Sequence, residues 1–236
     1  MTPKTDATPS IFDGFVDEEY EAACARGVDL SGENRDYFAA ARIRQTAAWC
    51  SARLTIDRIV DFGCGLGHST PHFLAAFPGA SVLGVDSSTR SIDSANRHYA
   101  GERVAFTTDT SLAADRSAAI VYSNGTFHHI EPGDRLQQVT VIRDCLKPGG
   151  LFALWENNPW NPGTRLVMSR IPFDRDAKPL SYLETQRLLK QGGFDVVQTS
   201  FHFYFPSPLK VLRRFEPLLA SVPFGAQYCV LGRRRA

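Results

Sequence analysis

Residues 61–69 read DFGCGLGHS, in which Gly63, Gly65 and Gly67 alternate with Cys64 and Leu66 behind the acidic Asp61. Glycine lets a backbone turn tightly and approach a ligand with no Cβ in the way. A run of this kind between a strand and a helix is therefore suited to cradling a ligand along the main chain. Asp86 and Asp109 follow two later apolar runs, each beside hydroxyl residues (Ser87 and Thr110). A carboxylate there can accept hydrogen bonds from sugar hydroxyls or from an amino group. Taken singly, each aspartate reads equally well as a turn residue or a helix cap. His128 and His129 are adjacent, and a neutral imidazole near pH 7 can take a proton from a hydroxyl or an ammonium. The alternative is that they cap a turn. Glu156 ends a further apolar run, where it can orient an imidazole, bind a substrate hydroxyl or meet solvent. Adjacent histidines lack the helix-face spacing of a metal pair, and no carboxylate cluster lies near them in sequence. No metal site is expected.

The elements that must position these residues alternate. IDRIVDF (56–62), SVLGVD (81–86), RVAFTT (103–108), SAAIVYSN (117–124) and LFALWE (151–156) read as strands. Between them, helices are expected over 69–77, with Ser69 as cap and Pro71 in the first turn, over 89–100, and over 131–147, where Pro148-Gly149-Gly150 is expected to stop the last. Another helix ends near Gly192-Gly193, strands six and seven fall at 194–205 and 227–233, and residues 208–220 read as helical. Phe201, Phe203 and Phe205 alternate on strand six and are expected in the core. Repeated strand–helix units imply a mostly parallel sheet with helices on both faces. Ligands bind such sheets beyond the carboxyl ends of the strands, where Asp61, Asp86, Asp109, Asn124 and Glu156 all fall.

Residues 1–10 read as a disordered leader, 11–53 as a helical extension of two helices, and 54–236 as the main domain. Within it, 157–180 carries four prolines with Trp160, Arg165 and Arg170. It reads as a long loop and a candidate substrate lid whose arginines can pair with an acidic substrate group. A formal charge of +1 gives no electrostatic footprint for nucleic acid or an anionic membrane. Five cysteines with no C-x-x-C suggest neither a disulfide framework nor a zinc site, and fit a reducing cytoplasm. No apolar run approaches the length of a membrane helix.

The loop spacing is G-x-G-x-G behind Asp61, not the dinucleotide pattern G-x-G-x-x-G, whose third glycine would fall at His68. With VLGVDSS (82–88), the Asp109 turn, SNGTFHHI (123–130) and CLKPGGLFAL (145–154), it resembles the class I S-adenosylmethionine-dependent methyltransferases of the bacterial small-molecule type, over roughly residues 57–156. The resemblance implies a Rossmann-like α/β fold: a seven-stranded sheet, mostly parallel with its last strand antiparallel. It implies S-adenosylmethionine as cofactor. Asp61, Gly63, Cys64, Gly65 and Gly67 would form its loop, Asp86 and Ser87 would meet the ribose, Asp109 and Thr110 the adenine, and Asn124 the end of strand four. SGENRDYFAAARIR (31–44) resembles helices that precede this loop in the family, which makes Arg42, then Tyr37, candidates for the methionine carboxylate. The expected reaction is methylation of an O or N atom of a small-molecule metabolite, with His128, His129 and Glu156 as the catalytic candidates. Asn158-Pro159-Trp160 falls after strand five, not four, which excludes the nucleic-acid amine subclass. Two other classes remain: a non-catalytic module of this fold serving a partner protein, and a nicotinamide-dependent oxidoreductase, against which the glycine spacing argues.

Overall fold

The computed structural model describes residues 27, 29–50 and 55–235. The expected leader and the first helix of the extension lie outside them. The second helix is α1 (Arg35–Cys50), capped by Asn34, whose Oδ1 accepts from Tyr37 N at 2.8 Å. Its buried positions Ala39, Arg42, Ile43, Thr46 and Trp49 recur every three or four residues, so one face is covered. Strands and helices then alternate: β1 (Arg58–Phe62), α2 (Thr70–Ala76), β2 (Ser81–Val85), α3 (Thr89–Tyr99), β3 (Val104–Thr107), β4 (Ala118–Asn124), α4 (Arg135–Cys145) and β5 (Leu146–Asn157). After these come α5 (Pro162–Arg170), α6 (Tyr182–Gln191), β6 (Phe194–His202), α7 (Glu216–Leu219) and β7 (Gln227–Arg234).

The strands form one sheet in the order β3-β2-β1-β4-β5-β7-β6. β1 to β5 pair in parallel, and β7 runs antiparallel to both β5 and β6. Side chains alternate between two apolar layers, as the period-2 pleat requires. Ile120 and Tyr122 of β4 face the layer holding α1, α2 and α3, and Val121 faces the layer holding α4 and α6. The chain leaves β1 toward β2 on one side and β4 on the other. The crevice of this topological switch therefore opens past Phe62 and Asn124.

Four boundaries differ from expectation. The strand after α4 begins at Leu146, which pairs with Ala118, so Pro148-Gly149-Gly150 lies inside β5 and does not stop a helix. The register shifts there and Gly149 sits at φ +75°, the conformation of a bulge. The proline-rich stretch is not all loop. Asn161 accepts from Thr164 N at 2.9 Å and Pro162 opens α5. β6 ends at His202, and Phe203 turns away at φ +63°, so of the three phenylalanines only Phe201 is a core strand residue. Residues 207–215 form a 3-10 segment ahead of the short α7, not one continuous helix. Among the described residues no helix is long and apolar enough to cross a membrane, and Cys64, Cys145 and Cys229 are free thiols.

Candidate active site

β1 delivers Asp61, 3% exposed, and then the glycine loop. Gly63 and Cys64 both donate backbone N–H to Val85 O, which pins the loop to the end of β2. Gly63 takes φ +78°, and a Cβ there would stand 2.1 Å from Thr126 Oγ1, so nothing larger than glycine fits. Gly65 takes φ +51° with open space where its Cβ would be. Asp86 closes the loop from the next strand: Oδ2 accepts from Gly65 N and Oδ1 from Ser88 N, each at 2.9 Å. Burial and the nearby Asp86 push the Asp61 carboxyl up to about 7, against the pull of Arg42. Burial, Asp61 and Asp86 together hold Cys64 well above an ordinary thiol, so it is a neutral contact and not a nucleophile.

From α1, Arg42 reaches under this loop. Its Nε donates to Tyr122 Oη at 3.2 Å and its Nη1 to Gln227 Oε1 at 3.0 Å. A guanidinium has five N–H donors, so these two bonds leave donors for a ligand. Arg42, Asp61, Gly63, Cys64, Gly65, Tyr37 and Asn124 all line one cavity of about 1220 Å³. Asn124 Oδ1 and Ser123 Oγ, at the end of β4, are buried with no hydrogen-bond partner. A buried amide oxygen left unpaired costs about 1–3 kcal/mol, and a ligand in the cavity can relieve that cost.

The other end of the same cavity is lined by His128, His129 and Asp174. Both histidines lie in a 3-10 turn (Phe127–His129) directly after β4. Glu156, 1% exposed, comes from the neighbouring β5 and stands behind them. Its Oε1 accepts from Phe127 N at 2.7 Å and its Oε2 from His128 Nδ1 at 2.6 Å. A carboxylate only accepts, so Nδ1 carries the proton and Nε2 turns the other way. There Asp174 Oδ1 stands 3.6 Å from His128 Nε2 and 3.4 Å from His129 Nε2. Burial works to lower the His128 pKa, but the charge of Glu156 and contacts with both carboxylates outweigh it and raise the pKa to about 10. The two carboxylates therefore favour the protonated ring, and any proton acceptor role for His128 works against them. Desolvation works to raise Asp174, but the two histidines hold it below the usual carboxylate range. Glu156 orients an imidazole as expected, and a second carboxylate, Asp174, joins the histidines although none lies near them in sequence. Asp174 arrives from a distant segment that adjacency in sequence does not show.

α5 covers this end with Thr164, Val167 and Met168, followed by Ile171. Arg165 and Arg170 are exposed and do not line the cavity, so an anchoring role for them is not supported. Trp160 packs on Tyr182, away from it. Sequence reasoning missed Arg213, which lines the cavity from the 3-10 segment. It lies 4.8 Å over the Tyr37 ring and is ion-paired with Glu33 at 2.7 Å. Gly67, Asp86, Ser87, Asp109 and Thr110 do not line the cavity either. Asp86 is tied to Gly65, which does. Gly67 faces the Phe106 and Tyr99 rings. Ser87, Asp109 and Thr110 are exposed, and Asp109 caps its own turn through Ser111 N at 2.9 Å.

A family model described as a methyltransferase domain matches residues 60–152. Among curated proteins, the chain is 29% identical over 141 residues to a trans-aconitate 2-methyltransferase of Variovorax paradoxus, covering 58% of this chain and 54% of that protein. It is 24% identical over 182 residues to the trans-aconitate 2-methyltransferase of Escherichia coli O1:K1, covering 72% of this chain and 71% of that one. The match thus spans about half the length of the first of these relatives. Among solved structures, a SAM dependent methyltransferase from Archaeoglobus fulgidus superposes with a TM-score of 0.63 at 16% identity, covering 85% of this chain and 95% of that one. At that identity the likeness is one of fold.

Proposed function

We propose that the chain is a class I S-adenosylmethionine-dependent methyltransferase, as its family match, relatives and fold support, and that it transfers a methyl group from S-adenosylmethionine to an O or N atom of a small-molecule acceptor. One observation carries the reading. The glycine loop after β1 and Asn124 at the end of β4 open on a single cavity, and the buried Asn124 Oδ1 there has no partner. The relatives' name, trans-aconitate 2-methyltransferase, favours an organic acid as acceptor. The free thiols of Cys64, Cys145 and Cys229 fit a reducing cytoplasm.

When bound, S-adenosylmethionine supplies a methyl group on a sulfonium that is already a good leaving group. The protein's task is alignment and exclusion of water. In this reading Arg42 offers its remaining donors to the cofactor's carboxylate, with Tyr37 beside it. Asp61 sets a carboxylate against its ammonium. Gly63, Cys64, Gly65 and Gly67 shape the backbone cradle, and Asn124 offers its unpaired oxygen. Asp86 with Ser87 receives the ribose, and Asp109 with Thr110 the adenine. His128 and His129 meet the acceptor, and Glu156 acts through His128 as a positioning residue. The segment 157–180 serves as a lid through the apolar face of α5, which keeps water from the acceptor end.

Calorimetry with S-adenosylhomocysteine and NAD, followed by labelled methyl transfer to a panel of small carboxylic acids, tests the proposal. The expected result is tight S-adenosylhomocysteine binding, far weaker NAD binding, and label in at least one acid. NAD binding without S-adenosylhomocysteine binding sinks the family role. Cofactor binding with no turnover on any small molecule sinks the enzymatic one.

A further inference from the structure

We infer that His128, His129 and Asp174 form a binding site for a first-row divalent cation, zinc foremost, that holds an oxygen of the acceptor. The three ligand atoms, two imidazole Nε2 and one carboxylate oxygen, lie within 4.8 Å of one another. The two nitrogens stand 3.6 and 3.4 Å from Asp174 Oδ1. These are long for hydrogen bonds. They are close to the edge of a zinc tetrahedron, which for bonds of about 2.0–2.2 Å measures roughly 3.3–3.5 Å. Two of the three edges thus already match, and the third, between the two imidazoles, is within 4.8 Å and closes by rotation of the half-buried His129 ring.

The surroundings have the features a metal site requires. Glu156 accepts the His128 Nδ1–H at 2.6 Å, which fixes the ring and makes Nε2 the coordinating atom once the cation displaces its proton to solvent. A carboxylate behind a ligating histidine is the usual outer support of such sites. Glu156 is itself anchored by Phe127 N, and the backbone of Lys178 donates to His128 O at 2.7 Å, just after the Asp174 turn. The two strands of the constellation are therefore laced together. Two nitrogens and one oxygen from the protein leave coordination positions open toward the cavity, the pattern of catalytic rather than structural sites.

Charge gives an independent reason. The acceptor end presents two buried carboxylates, Asp174 and Glu156. Of the lining arginines, Arg213 already pairs with Glu33 and Arg42 is engaged with Tyr122 and Gln227. An acidic acceptor entering this end would meet net negative charge, and a divalent cation on Asp174 reverses the sign where its oxygen must sit. This part of the argument rests on the acceptor class proposed above. The ligand geometry does not.

The test is titration of chelator-treated, full-length protein with Co²⁺, followed by its visible ligand-field bands, with Zn²⁺ competing. S-adenosylhomocysteine binding is measured on the same samples. One Co²⁺ per chain is expected, displaced by Zn²⁺. Asp174→Asn and His129→Gln should abolish the bands, and Glu156→Gln should weaken binding by about 10–100-fold, while all three still bind S-adenosylhomocysteine. Should Asp174→Asn fail to fold, His129→Gln, at a half-buried position, carries the same test. Absence of the bands in the parent, or bands that survive both ligand substitutions, overturns the site and leaves the cluster an ion-pair network. Failure of the parent to bind S-adenosylhomocysteine would instead count against the cofactor reading, with the metal result still readable.

Discussion

The two ends of the cavity are built in different ways. The end at the glycine loop is made of strand ends and the short segments beyond them: Asp61 to Gly67 at and past the end of β1, Asp86 after β2, Asn124 closing β4. Its contacts are made by backbone N–H groups, Gly63 N and Cys64 N to Val85 O and Gly65 N to the Asp86 carboxylate. The end at the histidines is made of side chains drawn from distant parts of the chain. Glu156 reaches His128 across the β4–β5 pair, and Asp174 joins from beyond α5. The first end is rigid because the sheet fixes the ends of its strands. The second is held by buried charge, so its integrity depends on every partner being present. Fold-level constraint secures one end, and specific pairing secures the other.

The largest effect expected is at the backbone-built end. Gly63→Ala combines a left-handed φ with a Cβ that meets Thr126 Oγ1, Cγ2 and Cβ, all within 2.8 Å. The two costs together come to about 2–5 kcal/mol, and S-adenosylhomocysteine binding should be lost. Gly65→Ala has the same handedness problem but open space, so its stability loss should be only about 1–2 kcal/mol. Urea unfolding and calorimetry read both. Equal losses at the two positions would show that the close approach to Thr126 does not matter, and the contrast between the ends would weaken.

At the charge-built end, Glu156→Gln keeps the shape but loses the charge facing His128. A stability loss of about 1–3 kcal/mol is expected. Methyl transfer should fall while S-adenosylhomocysteine affinity stays within about twofold, because Glu156 does not line the cofactor end. A variant whose cofactor affinity collapses along with turnover would show that the two ends are one cooperative unit.

This contrast also governs what the sequence discloses. Strand ends and glycine spacing are local, so the strands and the glycine loop are legible from adjacency and period, while Asp61 and Asn124 as cofactor contacts come from the family resemblance. Asp174 is not legible, because nothing in residues 172–174 marks a contact with His128 and His129. Only folding brings them to 3.6 and 3.4 Å. α5 had a readable signal, an Asn161 cap followed by Pro162, but the density of prolines around it reads as loop. Pro148-Gly149-Gly150 misleads for the converse reason. Turn residues inside β5 are tolerated where the pairing with β4 shifts register. Phe203 and Phe205 continue the period of β6 past its end, and a positive φ at Phe203 breaks a pattern that composition cannot.

Asp61 offers a sharper probe of the rigid end, through pH. Its neighbours are Asp86 at the end of β2, Arg42 from α1, and Tyr122 and Cys64, whose own ionisation is pushed up by burial. The folded protein raises Asp61 from 3.8 to about 7, so it binds a proton more readily than the unfolded chain. The stability this confers is fully present below 3.8 and is lost as pH rises through about 7. Asp61→Asn should therefore flatten the fall in stability between these values and make the ligand-free protein more stable at pH 8, by about 1–3 kcal/mol. It should also weaken S-adenosylhomocysteine binding, since the charge set against the ammonium is gone. An unchanged pH slope in the variant would mean that burial of Asp61 is not what sets it.

The smallest effect is expected on the outside of α5. Arg165 and Arg170 project to solvent from the helix whose other face, Thr164, Val167 and Met168, lines the acceptor end. Asn161 caps this helix through Thr164 N, and Thr164 Oγ1 is bound to Ala226 O at 2.7 Å, so neither arginine is needed to seat it. An exposed arginine exchanges solvent contacts for little, and its removal shifts stability by no more than about 0.5 kcal/mol. Arg165→Ala, Arg170→Ala and the double variant should thus match the parent in Tm, in S-adenosylhomocysteine affinity and in acceptor KM. Val167→Asp, on the lining face, should raise acceptor KM while leaving cofactor affinity unchanged, because a buried charge there meets the acceptor rather than the glycine loop. If the arginine variants raise KM and Val167→Asp does not, α5 presents its polar face to the acceptor in solution, and the apolar lid is the wrong picture of the second end.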